Sequence, residues 1–131
     1  MNITLSKEAV FIPDFNGNKK LSAADQIVVH YKIPTLVIKN RCRKKPIAKG
    51  IANATGGIDH LEVVIEKDDL QTLNEMLVSI SGCSYKWEGK DYKITNAADL
   101  INAPVVFEPL YKEIIDEFDR IIDHTEIDEK N

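Results

Sequence analysis

The chain has 131 residues, of which 44% are hydrophobic and 29% are charged, and its formal net charge is −4 at pH 7. These values are ordinary for one folded domain and exclude collagen-like, mucin-like and wholly disordered proteins. The sequence lacks an apolar run of the roughly 18–20 residues that a membrane span requires, a secretory signal pattern and enough cysteines for a disulfide framework, so we expect a cytoplasmic protein.

Strand patterns dominate the first third of the sequence. An apolar run at residues 9–12 ends at Pro13, and the turn signal Asn16-Gly17-Asn18 follows it. Residues 26–33 are rich in β-branched and aromatic residues that partly alternate, and Pro34 ends this run because proline cannot donate to a ladder. These runs predict an antiparallel β-sheet in the N-terminal part of the chain.

The middle of the sequence is less regular. Residues 35–43 fit either a helix capped by Thr35 or a further strand. Residues 39–57 combine Pro46 and several glycines with six cations between positions 39 and 49, which predicts a mobile basic loop. Residues 61–66 then predict a strand, so that residues 1–66 are expected to be mainly β.

Residues 67–122 are expected to be mainly helical. A helix is predicted to begin after Asp68, with Gly82 as its natural stop, because five apolar residues recur at helical spacing: Leu70, Leu73, Met76, Leu77 and Ile80. Two alternating runs joined at Glu88-Gly89-Lys90 predict a β-hairpin at residues 84–94.

Two helices and a tail complete the prediction. A short helix capped by Thr95 or Asn96 ends before Pro104, and Pro109 begins a final amphipathic helix. Residues 123–131 form an acidic tail. We therefore expect one α+β domain over residues 1–131, with an N-terminal antiparallel β-sheet and C-terminal helices packed on it.

No pattern in the sequence predicts catalysis. The three histidines lack the spacing of a metal site, and the glycine-rich segments match no phosphate-binding motif. Cys42 lies between Arg41 and Arg43, whose positive field is expected to lower the pKa of its thiol, but no histidine base is placed beside it. We expect a protein that is not an enzyme and that has no cofactor and no metal.

Charge is distributed unevenly along the chain. Residues 39–49 carry six cations and no acid, whereas residues 108–131 carry nine acids and three cations. The two regions can attract each other within the monomer or can form a docking surface. Nucleic-acid binding through residues 39–49 is disfavoured because no aromatic residue is interleaved for stacking on bases.

The final helix offers the best candidate for a partner-binding face. Its apolar stripe fits either the domain's own core or a groove for another helix. The predicted partner-binding residues are those of this stripe and three cations that could steer a partner electrostatically: Phe107, Leu110, Tyr111, Ile114, Phe118, Lys44, Lys45 and Lys49.

Two segments resemble a known family. Residues 11–32, FIPDFNGNKKLSAADQIVVHYK, are similar to the opening of small tail assembly chaperones of long-tailed bacteriophages and prophages. That opening often has the form F-x-P-x-x-x-x-N-(K/R)-x-L-x-x-x-(D/E)-Q-I-x-V-x-Y followed by Pro-Thr or Leu-Thr, and Pro34-Thr35 stands at that place. Residues 92–104, YKITNAADLINAP, and 109–114, PLYKEI, resemble the family's last third, whereas residues 39–57 match no pattern of it.

The resemblance implies a non-enzymatic function in the cytoplasm of a host bacterium. Chaperones of this family coat the long, helical, apolar tape-measure protein before the tail tube polymerises around it, and many are made in two lengths by ribosomal frameshifting. The expected partner is therefore the tape-measure protein or another tail protein, without a membrane; self-association stays open. Two alternatives remain: a small structural protein of the virion or tail, and a nucleic-acid-binding accessory protein that uses residues 39–49.

Overall fold

A computed structural model describes residues 1–42, 45–52, 58–66 and 68–123, the two middle ranges by their backbone only. The strands are β1 (Glu8–Phe11), β2 (Val28–Lys32), β3 (Lys45–Ala52), β4 (Ile58–Glu66), β5 (Leu77–Ser81), β6 (Ser84–Trp87) and β7 (Lys90–Lys93). The α-helices are α1 (Leu36–Cys42), α2 (Asp69–Met76), α3 (Ala97–Ile101) and α4 (Glu108–Asp123). Short 3-10 helices span Phe15–Lys20, Ala23–Asp25 and Val105–Phe107.

The expected α+β fold is confirmed. Strands β1, β2 and β5 form an antiparallel sheet in that order, with Phe11 opposite Val29 and Val29 opposite Ile80. The strand predicted at residues 26–33 is β2, and the predicted hairpin at residues 84–94 is β6–β7. Thr35 resolves the alternative left open at residues 35–43 in favour of a helix, because its hydroxyl accepts a 3.1 Å bond from the Ile38 N–H at the start of α1.

The helix predicted to begin after Asp68 is confirmed as far as Met76. The prediction is wrong beyond that residue, where the chain continues as strand β5. The reason is a β-bulge: His30 pairs with Ser79 and Tyr31 with Leu77, so Val78 is an extra residue on β5. The extra residue lets Leu77 and Ile80 both be buried although they are three positions apart. That spacing imitates the period of a helix.

Gly82 ends strand β5 instead of a helix. Its φ is +74°, and a Cβ atom at this position would lie 2.2 Å from the backbone oxygen of Gln26. Both the backbone conformation and the lack of space require glycine here. The close approach allows the chain to turn from β5 into β6 beside the segment that leads into β2.

The predicted basic loop at residues 39–57 is also largely wrong. Residues 39–42 belong to α1 and residues 45–52 form β3, which pairs with β4 over its full length as an antiparallel ribbon; residues 53–57 lie outside the described ranges. Pro46 is compatible with this strand because it stands near the beginning of a ribbon, where a missing ladder donor is tolerated.

The core lies between the three-stranded sheet and the helices. Five residues of α4 are buried, and they share the interior with Leu73 and Met76 of α2 and with residues of β2 and β5. The ring of Phe118 lies 5.6 Å from that of Tyr31, measured between centroids, which fixes α4 on the sheet. The buried residues of α4 are Leu110, Ile114, Ile115, Phe118 and Ile122.

Helix ends are capped as the sequence indicates. Asp68 accepts a 3.1 Å bond from the Gln71 N–H at the start of α2, and Asn96 accepts a 2.8 Å bond from the Asp99 N–H at the start of α3. Glu113 lies within α4 and makes a contact of another kind. Its carboxylate accepts hydrogen bonds from the backbone N–H groups of Asp14 and Phe15. Glu113 thereby joins the last helix to the first 3-10 helix.

Asn18, one of the residues that carry the family resemblance, has a structural role. Its side chain is buried, its Nδ2 donates to the oxygens of Pro13 (2.9 Å) and Ile27 (3.0 Å), and its Oδ1 accepts from the Ile27 N–H (2.6 Å). One amide thus satisfies three backbone groups and holds the connection between β1 and β2. Asn18 therefore stabilises the connection between β1 and β2.

Candidate protein-binding surface

An apolar groove opens where α2, α3 and the beginning of α4 meet. Its volume is about 290 Å³. Three large apolar residues on its walls are exposed to solvent: Val105 by 82%, Leu70 by 49% and Ile101 by 44%. We call this the apolar groove; its lining is Leu70, Leu100, Ile101, Ala103, Pro104, Val105, Phe107, Glu108 and Tyr111.

The chain between α3 and α4 holds the exposed wall of this groove in place. The N–H of Asn102 donates to the oxygen of Ala98, and that of Ala103 to the oxygen of Leu100. Pro104 then separates α3 from the 3-10 helix, which the bond from the Phe107 N–H to the Pro104 oxygen (2.9 Å) closes. These bonds keep Val105 at the surface in a defined conformation.

A second groove, of about 480 Å³, adjoins the first and shares Ala103 and Pro104 with it. One wall is a face of the β6–β7 hairpin, on which Trp87 is 49% and Tyr92 is 42% exposed. Consecutive positive φ values at Glu88 (51°) and Gly89 (79°) form the two-residue turn of the hairpin. We call this the aromatic groove; its lining is Tyr85, Trp87, Glu88, Tyr92, Asn102, Ala103 and Pro104.

Four aromatic rings connect the two grooves with the rest of the domain. Ring centroids lie 5.1 Å apart between Tyr92 and Tyr85, which are stacked, and 5.3 Å apart between Tyr85 and Phe107. Phe107 in turn lies 5.7 Å from Phe15 in the first 3-10 helix. Because Phe107 touches both the hairpin and the N-terminal segment, it fixes the 3-10 helix that carries Val105.

Few charges border the apolar groove. Glu108 faces it and pairs with Lys112 at 3.9 Å, both side chains being well exposed, so that the pair contributes little to stability. On α3, the hydroxyl and the backbone N–H of Thr95 bond to the carboxylate of Asp99 and lower the pKa of that group. Glu108 is the one charged residue among those that line the apolar groove.

The predicted partner-binding residues divide into two sets. Phe107 and Tyr111 are partly buried and line the apolar groove, but Leu110, Ile114 and Phe118 are 0% exposed and belong to the core. These three side chains are buried in the folded chain, and their contact with a partner stays a prediction. An amphipathic helix has a single apolar stripe, and α4 uses it to cover α2 and the sheet.

Of the three cations predicted to steer a partner, the structure describes the backbone of two, Lys45 and Lys49. Lys44 lies outside the described residues. Lys45 and Lys49 belong to β3, where the register sets them opposite Glu66 and Glu62 of β4. Arg41, at the end of α1, donates to the carboxylate of Glu75 in α2 at 3.1 Å, and not to an acid of α4.

Sequence reasoning missed the exposed residues Leu70, Ile101, Val105 and Trp87. The sequence pattern places Leu70 among the apolar residues of the helix predicted after Asp68, Ile101 in the short helix predicted before Pro104, and Trp87 in the predicted hairpin. The available signal was at Val105 and Val106, which stand between Pro104 and Pro109 in a stretch too short to form a helix with a buried side.

The two cysteines are free thiols, and both are buried. Burial raises the pKa of the Cys83 thiol to about 11. The pKa of Cys42 is also raised, because burial and the carboxylates of Glu75 and Asp119 outweigh a hydrogen bond with Thr72 and the charge of Arg41. Arg41 lowers this pKa as expected, but burial has the larger effect, so the net shift is upward; Arg43 lies outside the described residues.

Within the described ranges, no group of three or more His, Cys, Asp or Glu residues is arranged to hold a metal ion. The helices of these ranges do not include one that is long and apolar enough to cross a membrane. No protein-family model, no curated protein and no solved structure matches the chain.

Proposed function

We propose that the chain is a non-enzymatic tail assembly chaperone of a bacteriophage or prophage, which binds a helical segment of the tape-measure protein in the cytoplasm of the host bacterium. The proposed binding site is the apolar groove together with the adjoining aromatic groove. The family assignment is supported by the resemblance of residues 11–32 and 92–114, and the binding site by the exposed surface of the folded domain.

The observation that carries the proposal is the exposure of Leu70, Ile101 and Val105 around one groove. Single exposed apolar residues are common on protein surfaces, but a contiguous apolar patch marks an interaction site. Trp87 and Tyr92 extend the patch along the hairpin with the residue types that dominate protein interfaces. A protein partner accounts for this combination.

The size and shape of the grooves favour a helical partner over a small molecule. The apolar groove, about 290 Å³, is slightly smaller than the roughly 300–1,000 Å³ that ligand pockets occupy. It is open to solvent, and Ala103 and Pro104 line both this groove and the aromatic groove. An amphipathic helix that inserts side chains one turn apart fits two adjoining open grooves.

Nucleic-acid binding through residues 39–49 has less support than it had from the sequence. Arg41 is bonded to Glu75, and Lys45 and Lys49 stand opposite glutamates in the β3–β4 register. A surface that binds the phosphate backbone needs cations without such local compensation. Of the four cations in the described part of residues 39–49, Arg41 bonds an acidic residue, and Lys45 and Lys49 have one opposite them in the strand register.

Val105→Asp tests the proposed site. We expect this substitution to weaken binding to the tape-measure protein at least about tenfold, because a carboxylate in the groove loses hydration when an apolar helix docks. The wild-type chain and the variant are expressed with the tape-measure protein of the same phage or prophage, and the co-purified fraction is measured. Since Val105 is 82% exposed, its free energy of unfolding should change by about 0.5 kcal/mol or less.

Leu36→Asp is the matched control, because Leu36 is 80% exposed but lies on α1, outside both grooves. It should bind as the wild-type chain does. Equal binding by the Val105 variant would remove the groove from the proposal, and a wild-type chain that does not bind the tape-measure protein would remove the proposed function. An immunoblot of purified particles separates the structural alternative: a chaperone is absent from them, whereas a virion protein is retained.

A further inference from the structure

The aromatic groove contains two hydrogen-bond acceptors that no described residue uses. Glu88 lines the groove, and among the described residues its carboxylate has neither an ion-pair partner nor a hydrogen-bond donor. The side chain of Asn102, also in the lining, donates from Nδ2 to the oxygen of Ala98 at 2.9 Å. Its Oδ1 has no donor within the described chain. Both residues are exposed, so the two acceptors are accessible to a ligand.

The same groove presents aromatic rings. In the β6–β7 register Tyr85 stands opposite Tyr92 and Trp87 opposite Lys90, and side chains alternate between the two faces of a hairpin, so both tyrosines share a face with Trp87. Tyr85 stacks on Tyr92, whereas Trp87 is in ring contact with no other described residue and is 49% exposed. The indole ring is therefore free to stack on a ligand.

The charge of the aromatic groove is negative. Glu88 is the one charged residue among those that line it. Lys90 lies on the same face of the hairpin but outside the lining, and Lys86 lies on the opposite face, where it pairs with Asp91 at 3.8 Å. An exposed carboxylate beside a free indole complements a cationic group that has a flat surface.

We propose that the aromatic groove binds the guanidinium group of an arginine on the protein partner; the identity of that partner rests on the proposed function. A guanidinium is planar and stacks on the indole of Trp87, while its N–H groups donate to the free oxygens of Glu88 and Asn102. A lysine ammonium has the charge but no flat surface. An apolar side chain leaves both acceptors without donors once water is displaced.

The position of the groove indicates where the arginine lies in the partner. Ala103 and Pro104 line both grooves, so a helix whose apolar residues fill the apolar groove passes beside the aromatic groove. The long side chain of arginine lets its charged end reach a polar site from the margin of an apolar stripe. We therefore expect the bound helix to carry arginine at the margin of its apolar stripe.

The indole of Trp87 reports on this site directly. Trp87 is the single tryptophan of the chain, so its N–H gives one distinct signal in a nitrogen–proton correlation NMR spectrum. The full chain is titrated with N-acetyl-argininamide, with the neutral and equally planar N-acetyl-citrullinamide, and with N-acetyl-lysinamide. The arginine compound should shift the signal saturably, with a dissociation constant at least about fivefold below those of the other two. The citrulline compound tests the charge, and the lysine compound tests the planar group.

Glu88→Gln tests the role of the carboxylate, with Asp91→Asn as its matched control. Each substitution replaces an exposed carboxylate of the hairpin by an amide, but only Glu88 lines the groove. Glu88→Gln should raise the dissociation constant of the arginine compound about fivefold, because the guanidinium loses a charged acceptor. Asp91→Asn should leave it unchanged, because Asp91 lies on the opposite face.

The same variants separate this proposal from the proposed function. Glu88→Gln should weaken binding to the tape-measure protein about fivefold, whereas Asp91→Asn should bind as the wild-type chain does. Equal affinity for the arginine compound and either of the other two would overturn the guanidinium site. So would a Glu88→Gln variant with wild-type affinity for the arginine compound or for the tape-measure protein. A chain that prefers the arginine compound but does not bind the tape-measure protein would support the site and overturn the proposed function.

Discussion

The final helix and the segment just before it are both apolar, but they use their apolar residues in opposite ways. In α4, Ile114 and Phe118 are 0% exposed, whereas in the preceding stretch Val105 is 82% and Ile101 is 44% exposed. The difference follows from length. A helix of 16 residues presents a continuous stripe to a neighbour, while the three-residue 3-10 helix at Val105–Phe107 packs only Phe107 against the core and leaves Val105 in solvent.

The comparison changes where a binding surface should be sought. A strong apolar stripe on a long helix indicates the core, because burial of that stripe is what stabilises the helix in a small domain. Apolar residues that a short, proline-bounded connection keeps in solvent are the better indicator of a partner. For this chain, the partner-binding hypothesis therefore moves from α4 to the grooves beside it.

Ile114→Asp gives the largest expected effect and directly tests the comparison. We expect a loss of about 4 kcal/mol or more in the free energy of unfolding, because the substitution buries a carboxylate and removes packing at the centre of the core. Urea denaturation followed by circular dichroism measures it, with Val105→Asp, close to neutral, as the surface counterpart. If the Ile114 variant were as stable as the wild type, α4 would not use this face for the core.

Phe107→Ala tests the boundary between the two regions. Phe107 is half-buried and contacts the rings of Phe15 and Tyr85, so we expect a loss of about 2 kcal/mol, below the roughly 3–5 kcal/mol of a fully buried phenylalanine. Binding to the tape-measure protein should weaken as well, because the 3-10 helix loses its anchor. Phe107→Leu is the control and should recover a large part of the stability; an alanine variant with wild-type stability would show that this aromatic contact does not hold the segment.

Much of the fold could be predicted from the sequence because its signals are local. Pro34 indicates the end of β2, glycine the turn of the β6–β7 hairpin, and Asp68 the start of α2. For α1 the sequence left helix and strand open, and for α3 it offered Thr95 or Asn96 as the cap. The errors arose where long-range pairing decided the structure. The bulge opposite His30 and Tyr31 makes a strand imitate a helical period, and β3 forms only because β4 pairs with it.

The candidate site was less predictable than the fold. Sequence patterns distinguish apolar from polar faces, but they do not say which apolar residues remain exposed once the chain has folded. Leu70 and Val105 are 35 positions apart and form one groove only because α2 lies beside the connection that precedes α4. Asn18 of the N-terminal motif bonds backbone groups of its own connection. This residue therefore indicates the local fold but does not indicate where the grooves lie.

The smallest expected effect concerns the turn that supports the aromatic groove. Glu88 has a φ of 51°, a conformation that costs most residues free energy but that asparagine adopts readily in two-residue hairpin turns. Glu88→Asn should therefore raise the free energy of unfolding by about 0.5 kcal/mol, to be measured by urea denaturation. Glu88→Ala removes the same carboxylate without relieving the backbone and should give no such gain. If the two variants were equally stable, the carboxylate and not the backbone would limit the turn. In that case backbone strain at Glu88 would contribute little, and the hairpin face that carries Trp87 would be stabilised chiefly by the Tyr85–Tyr92 stack. This stack joins the exposed surface to the core through Phe107.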